Sequence, residues 1–197
     1  MRDDGPKFSL KPLTTNLASV VAHLTPTAGS SSSSRQVSTV SMANFSMLVA
    51  FASGELYRWY TQEDESVGID FGGARPGIAK VFQDPMGFHA IVTCTSGENW
   101  YVDFETKARV LPKLEGHLVE CSSWDGINCS ESSTGDLLMG TIKGEIIHTI
   151  IENGEAKNVH CVFRSQTGPI VAITQVLLNP HAATTGKRKH AVEETLI

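Results

Sequence analysis

This 197-residue chain has no stretch near the roughly 18 consecutive apolar residues that a membrane-spanning helix requires. Asp3 and Asp4 open a segment without an apolar core, so no secretory leader is expected. Cysteine is sparse, and Cys94, Cys121, Cys129 and Cys161 include no C-x-x-C pair, which removes the usual zinc and dithiol motifs. Three of them, Cys94, Cys121 and Cys161, fall in predicted strands, and the set is expected to be buried, reduced thiols of a cytosolic protein. Positive charge is also short. Sixteen Lys and Arg against 21 Asp and Glu give a formal charge of −5, which argues against nonspecific nucleic-acid binding. There is no G-x-S-x-G, no Walker loop and no dinucleotide fingerprint, and Gly72-Gly73 leads into no helical pattern that would cradle a phosphate. His89, His117, His148 and His160 are scattered, with no Cys or His at metal-ligand spacing, and are expected to be structural or surface residues. No catalytic residue, cofactor site or metal ligand is therefore assigned, and the chain is not expected to be an enzyme.

What is present is a phrase used three times: an apolar run, a turn ending in Gly-Glu, and a second apolar run. The copies centre on Gly54-Glu55, Gly97-Glu98 and Gly144-Glu145, at spacings of 43 and 47 residues. Residues 47–52 and 55–59, 89–95 and 98–102, and 137–142 and 145–150 are rich in β-branched and aromatic side chains bounded by glycine, which favours strand over helix. A tight hairpin turn needs a residue with φ > 0, and glycine supplies it. Asp84-Pro85-Met86-Gly87 fits a type I turn joining 78–82 to 88–95, and Asn153-Gly154 signals a hairpin joining 145–151 to 157–163. Four-stranded units follow near 77–112 and 117–164, with a third over about 36–72. Gly168-Pro169 and 170–176 read as the first strand of a fourth. A period of roughly 40–50 residues built from hairpins points to an all-β partial β-propeller of about three four-stranded blades plus the start of a fourth. A β-sandwich of similar strands is the alternative architecture. Three blades do not close a ring, so the chain is expected to be part of a longer protein or to need a partner.

The domain reading is a weakly ordered N-terminal lead over 1–35, the partial propeller over 36–178, and a disordered tail over 179–197. The lead contains the low-complexity run 30–34 and a possible strand at 20–24. In the tail, Lys187-Arg188-Lys189-His190 reads as a solvated basic turn or, alternatively, a short nuclear-import signal. Gly116-His117 and Trp124-Asp125 resemble the dipeptides of a WD40 repeat. They stand too close together to bracket a blade, and the match is coincidental. The Glu after each turn glycine is expected to keep an exposed hairpin soluble, or else to form an acidic row on one rim. Trp59, Trp100 and Tyr101 are expected to be buried between blades, with a peptide-binding surface as the alternative.

Residues 82–151 resemble the N-terminal region of the deep-orange family, the class C vacuolar protein sorting subunits of the HOPS and CORVET tethering complexes. The phrases that carry the resemblance are Asp84-Pro85-Met86-Gly87-Phe88-His89, Thr95-Ser96-Gly97-Glu98-Asn99-Trp100-Tyr101, Gly116-His117-Leu118-Val119-Glu120, and Ser133-Thr134-Gly135 leading to Gly140-Thr141-Ile142-Lys143-Gly144-Glu145-Ile146. Ser53-Gly54-Glu55-Leu56-Tyr57-Arg58 resembles the family's first hairpin, and the resemblance spans roughly 38–176. It implies part of an N-terminal β-propeller and a scaffold without enzymatic activity. It also implies the other class C subunits as partners, with indirect links to small GTPases and SNAREs. Membrane association would be peripheral, at late endosomes and the vacuole or lysosome, with no nucleic acid involved. The family's helical solenoid and zinc module have no counterpart here, and the tail after about 178 departs from its pattern. A generic propeller-type interaction adaptor outside membrane traffic is the alternative function. An enzyme with its site at the propeller axis is a third class, for which no convergent acid–base set is visible.

Overall fold

A computed structural model of the chain describes residues 36–63 and 65–175. Readings that fall on 1–35, on 20–24, on the tail after 175 and on Lys187-Arg188-Lys189-His190 lie outside the described residues. Among the described residues, twelve strands form three four-stranded antiparallel sheets, each a meander in chain order. The first blade holds β1 (Val37–Met42), β2 (Ser46–Phe51), β3 (Leu56–Tyr60) and β4 (Glu65–Gly68). The second holds β5 (Ile78–Gln83), β6 (Ala90–Cys94), β7 (Asn99–Val102) and β8 (Ala108–Val110). The third holds β9 (Val119–Trp124), β10 (Leu137–Thr141), β11 (Glu145–Glu152) and β12 (Glu155–Arg164). β1 neighbours β5 and β5 neighbours β9, so the first strands of the blades line up side by side. This is the expected partial propeller, with its sheets not closed into a ring.

The Gly-Glu phrase forms the same turn three times. Gly54, Gly97 and Gly144 donate their N–H to the carbonyls of Phe51, Cys94 and Thr141 at 2.9–3.0 Å, and their φ angles are +85°, +90° and +78°. A type I turn closed by a left-handed glycine bulge has this geometry. The residue after each second strand then donates to the residue before each first strand: Ala52 to Gln36, Thr95 to Gly77 and Ile142 to Leu118, at 2.8–3.0 Å. One hydrogen-bond pattern in three blades is independent evidence that the phrase is a structural repeat.

The three glycines are buried although the two residues before each are exposed. Each faces the linker that enters the next blade. A Cβ at Gly54 would stand 2.7 Å from the Pro76 carbonyl, at Gly97 3.4 Å from Gly116 Cα, and at Gly144 2.5 Å from the Gly168 carbonyl. All three sites favour glycine for its φ, and at Gly54 and Gly144 the close approach of a neighbouring carbonyl requires it a second time.

Two cores lie between the blades. Leu48, Ala50 and Leu56 meet Ile78, Val81, Ala90, Val92, Trp100 and Val102 between the first and second. Ile91 and Tyr101 meet Leu111, Leu114, Val119, Leu137, Met139 and Ile147 between the second and third. Alternate residues of β6 and β7 thus enter different cores. That is why both strands are buried throughout and read as unbroken apolar runs. Trp59, Trp100 and Tyr101 are buried, at 2%, 9% and 3% exposure, as expected of core aromatics.

Two expectations need correction. All four cysteines are free, but only Cys94 is fully buried. Cys121 and Cys129 are half-buried and Cys161 is exposed. Cys161 lies on β12, the last strand of its sheet, and strand periodicity says nothing about whether another layer covers it. The second concerns 170–176, whose described part, 170–175, pairs with no strand. It nevertheless takes the place of a first strand. Gln83 N–H, at the end of β5, donates to Ser41 Oγ of the preceding blade, and Gln175 N–H donates to Ser123 Oγ, both at 3.0 Å. Gly168 meets Gly144 as Pro76 meets Gly54. The start of a fourth blade is in position but lacks the second strand that would make it a ladder.

Replacing Gly144 by Ala is expected to cost about 3 kcal/mol or more, from left-handed strain plus displacement of the Gly168 carbonyl. Gly73, also left-handed but with open space around it, should lose only about 1–2 kcal/mol on the same change. Urea unfolding of the two variants measures the difference, and equal losses would remove the interblade contact from the account. Thiol labelling separates the cysteines as well. Burial pushes the Cys94 thiol up to about 11, with Glu98 adding to it. Cys129 is pushed up to about 12 by burial and then by Asp84. Since the thiolate is the reactive form, a timed iodoacetamide pulse at pH 8 should mark Cys161 well before either. Peptide mass mapping reads the order.

Candidate interaction surface

The meander places alternate turns at opposite ends of each blade. One rim carries the three Gly-Glu turns and the interblade linkers. Glu98 is exposed there, and Glu55 and Glu145 are half-buried. Ser53 Oγ donates to the Glu55 carboxylate at 3.1 Å, while Glu145 takes Arg164 at 2.6 Å and lies 3.3 Å from His117 Nδ1. Equivalent in position, the three glutamates differ in partners. Asn99, next in the phrase, is fully buried. Its amide nitrogen donates to the carbonyls of Leu114 and His117 at 2.7 and 2.8 Å, and its Oδ1 accepts from the Thr93 hydroxyl at 2.7 Å. It stitches the linker into the third blade onto the second, a role that no local pattern announces.

The opposite rim is built from the remaining turns, and its base is a buried polar seam. Asp84 begins the expected type I turn, with Gly87 N–H donating to its carbonyl at 3.0 Å. Its carboxylate accepts from the N–H of His89 at 2.6 Å and of Met86 at 3.0 Å, with the Cys129 thiol at 3.5 Å. The His89 ring is fully buried. Its Nε2 lies 2.6 Å from the Ser130 carbonyl, which can only accept, so Nε2 carries the proton. Nδ1 then accepts from the Tyr101 hydroxyl at 2.6 Å. Burial, with Asp103 adding to it, raises the Tyr101 phenol well above its ordinary value, which keeps it a donor. His89 thus pins the loop before β10 to the second blade. His117 faces Glu145, His148 lies 3.1 Å from Asp136, and His160 is exposed beside His148. The four histidines do not converge. No group of three or more His, Cys, Asp or Glu among the described residues could hold a metal ion. Asp125 accepts from the N–H groups of Ile127 and Asn128, which makes it a turn residue.

Above the seam, between the first and second blades, Phe45, Tyr60, Met86, Phe88 and Phe104 surround a groove of about 200 Å³, with Glu63 the only charged side chain among the described residues of its wall. Phe104 meets the rings of Tyr60 and Phe88 edge-on, with centroids 5.8 and 6.3 Å away. The Arg58 guanidinium lies 5.8 Å from the Phe104 centroid and is fully buried. Burial pulls its pKa below the usual value, while Tyr60, Asp103 and Asp84 act the other way. No periodicity or motif in the sequence announces this groove. The available signal was aromatic residues inside turns, Phe45, Phe88 and Phe104, where polar residues are the rule.

The family model for the Pep3/Vps18/deep orange beta-propeller domain matches residues 23–192, a wider span than the phrases that carry the sequence resemblance. The chain is 35% identical over 79 residues to a vacuolar protein sorting-associated protein 18 homolog of Danio rerio, which covers 40% of this chain and 8% of that protein. It is 32% identical over 116 residues to a vacuolar sorting protein 18 of Arabidopsis thaliana, covering 53% of this chain and 12% of that one. The matches thus span only about a tenth of these relatives' length. Among solved structures, a chain in a crystal structure of a mitotic checkpoint complex superposes with a TM-score of 0.52 at 16% identity, over 71% of this chain and 41% of that one. That likeness concerns the fold alone.

Replacing Tyr101 by Phe leaves Nδ1 of a buried histidine without its donor. It should cost about 1–3 kcal/mol in urea unfolding. A loss near zero would mean that the histidine finds another donor and that the seam does not depend on the phenol.

Proposed function

This chain belongs to the Pep3/Vps18/deep orange β-propeller family, and we propose on that footing that it is a non-enzymatic scaffold segment of a class C vacuolar protein sorting subunit. In this proposal the subunit acts within the HOPS and CORVET tethering complexes, in docking and fusion of vesicles at endosomes and the vacuole or lysosome. The segment contributes a rigid platform, over a folded region that we place at 36–178, whose turns are presented to other class C subunits. Small GTPases and SNAREs are reached indirectly through the complex. No helix among the described residues is long and apolar enough to cross a membrane, and the proposed contact with late-endosomal and vacuolar membranes is peripheral.

The observation that carries the proposal is the family match over residues 23–192. The geometry supports it. Three blades are locked to one another through buried backbone and apolar cores, and their turns are left to face outward at the two rims, which is how a binding platform is built. His89 ties the second blade to the third, whereas His117, His148 and His160 meet groups of the third blade, and the four do not converge on one point.

Affinity purification of the endogenously tagged gene product, with intact mass and co-purifying proteins read by mass spectrometry, tests this. The expected result is a product several times longer than 197 residues that brings other class C subunits with it. A product of 21.3 kDa arriving alone would overturn the assembled-scaffold reading.

A further inference from the structure

The groove between the first and second blades is unusual for its place. Phe45, Met86 and Phe104 are 44%, 44% and 51% exposed, each from a different turn, and they converge on one hollow. Single exposed apolar residues are ordinary on a protein surface, but several gathered around one concavity mark a site of contact. Its walls are fixed. Phe104 is held edge-on by Tyr60 and Phe88, and the Tyr60 hydroxyl donates to the Phe104 carbonyl at 3.4 Å. Below it, Gly87 is packed against Ser46 and Ala43, and Asn44 N–H donates to the Pro85 carbonyl at 3.0 Å. A preformed hollow charges little ordering entropy to whatever enters it.

We propose that this groove is the docking site for a short extended segment of another protein. That segment sets one large apolar side chain against Phe104, Phe88 and Met86, next to a Lys or Arg that reaches Glu63. The apolar part follows from the wall. The basic part follows from charge: among the described lining residues only Glu63 is charged, while Glu105 beside Phe104 is paired with Lys107 at 3.9 Å. Beneath the groove the buried Arg58 is influenced by Asp84 and Asp103, and Asp103 is also paired with Arg109 at 3.6 Å, so two carboxylates stand against two cations and the floor carries no net positive charge to repel a cation. A hollow of about 200 Å³ takes one or two side chains, which a short extended segment supplies without a large interface. The inference is independent of the tethering proposal, because a peptide groove would serve a scaffold in any pathway.

The test uses the full-length chain, immobilised and panned against a phage-displayed library of random dodecapeptides. Enriched sequences are then synthesised and titrated by fluorescence polarisation. The expected consensus is an aromatic residue, Leu or Met within two positions of a Lys or Arg. Phe104→Ser should weaken binding at least tenfold. Glu63→Lys, on an exposed residue, should also weaken it and shift a repeated selection towards acidic peptides. No consensus, or a consensus whose binding survives both substitutions, overturns the proposal. So does a consensus that appears only when Lys187, Arg188 and Lys189 are changed to Glu, since the groove would then belong to the chain's own tail.

Discussion

The arrangement rests on one contact made three times: a left-handed glycine at the end of a hairpin turn, pressed against the backbone that leads into the next blade. Gly54 meets Pro76, Gly97 meets Gly116 and Gly144 meets Gly168. A side chain at any of these sites would have to adopt a backbone conformation that costs L-residues about 1–2 kcal/mol. At the first and third it would also displace a carbonyl. The contact fixes the distance between successive sheets at one rim. With that distance fixed, apolar residues alternating along β6 and β7 can fill two cores at once. If the linker stood further out, Val92 and Ile91 could not both be dry.

The cores alone would not hold the blades in register, because apolar burial is nondirectional. Direction comes from a few buried polar groups, each fully engaged. Asn99 ties the linker before β9 to the second blade, and His89 with Tyr101 ties the loop before β10 to the same blade. Asp84 organises its own turn and meets the Cys129 thiol of the next blade. Such groups are costly unless satisfied, and here the cost falls on any misplacement of one sheet against another.

The hairpins were legible in the sequence because turn chemistry is local. The Ser-Gly and Lys-Gly turns, Asp84-Pro85-Met86-Gly87 and Asn153-Gly154 each specify their backbone within four residues. The three sheets, their chain order and the burial of Trp59, Trp100 and Tyr101 follow from that. What was not legible is tertiary. Nothing near Gly97 in the chain reveals that Gly116 will lie on it, and nothing near His89 reveals the Ser130 carbonyl 41 residues away. The exposure of Cys161 depends on which sheet lies outside β12, and the groove depends on four turns from two blades meeting. Strand periodicity tells inside from outside only where both neighbours of a strand are already known. For the same reason 170–175 read as a strand: its residues suit one, and its position is that of one, but pairing needs a second strand that local sequence cannot supply.

The two rims consequently carry different constraints. One is consumed by the repeat itself. Its glycines, linkers and Asn99 are committed to joining blades, and a change there is felt by the whole fold. The other also holds buried polar ties, but above them Phe45, Met86 and Phe104 emerge from turns whose backbones are fixed by other residues. Side chains there can change without moving a blade. An exposed large apolar side chain at such a position is not explained by folding, since burying it elsewhere would stabilise the chain by about 25 cal/mol for each Å² removed from water. Phe45, Met86 and Phe104 facing one hollow, with Glu63 the one charged residue among its described lining residues, are better explained by something outside the chain that removes that area from water instead. The rigidity built at one rim is what makes the other usable as a recognition surface.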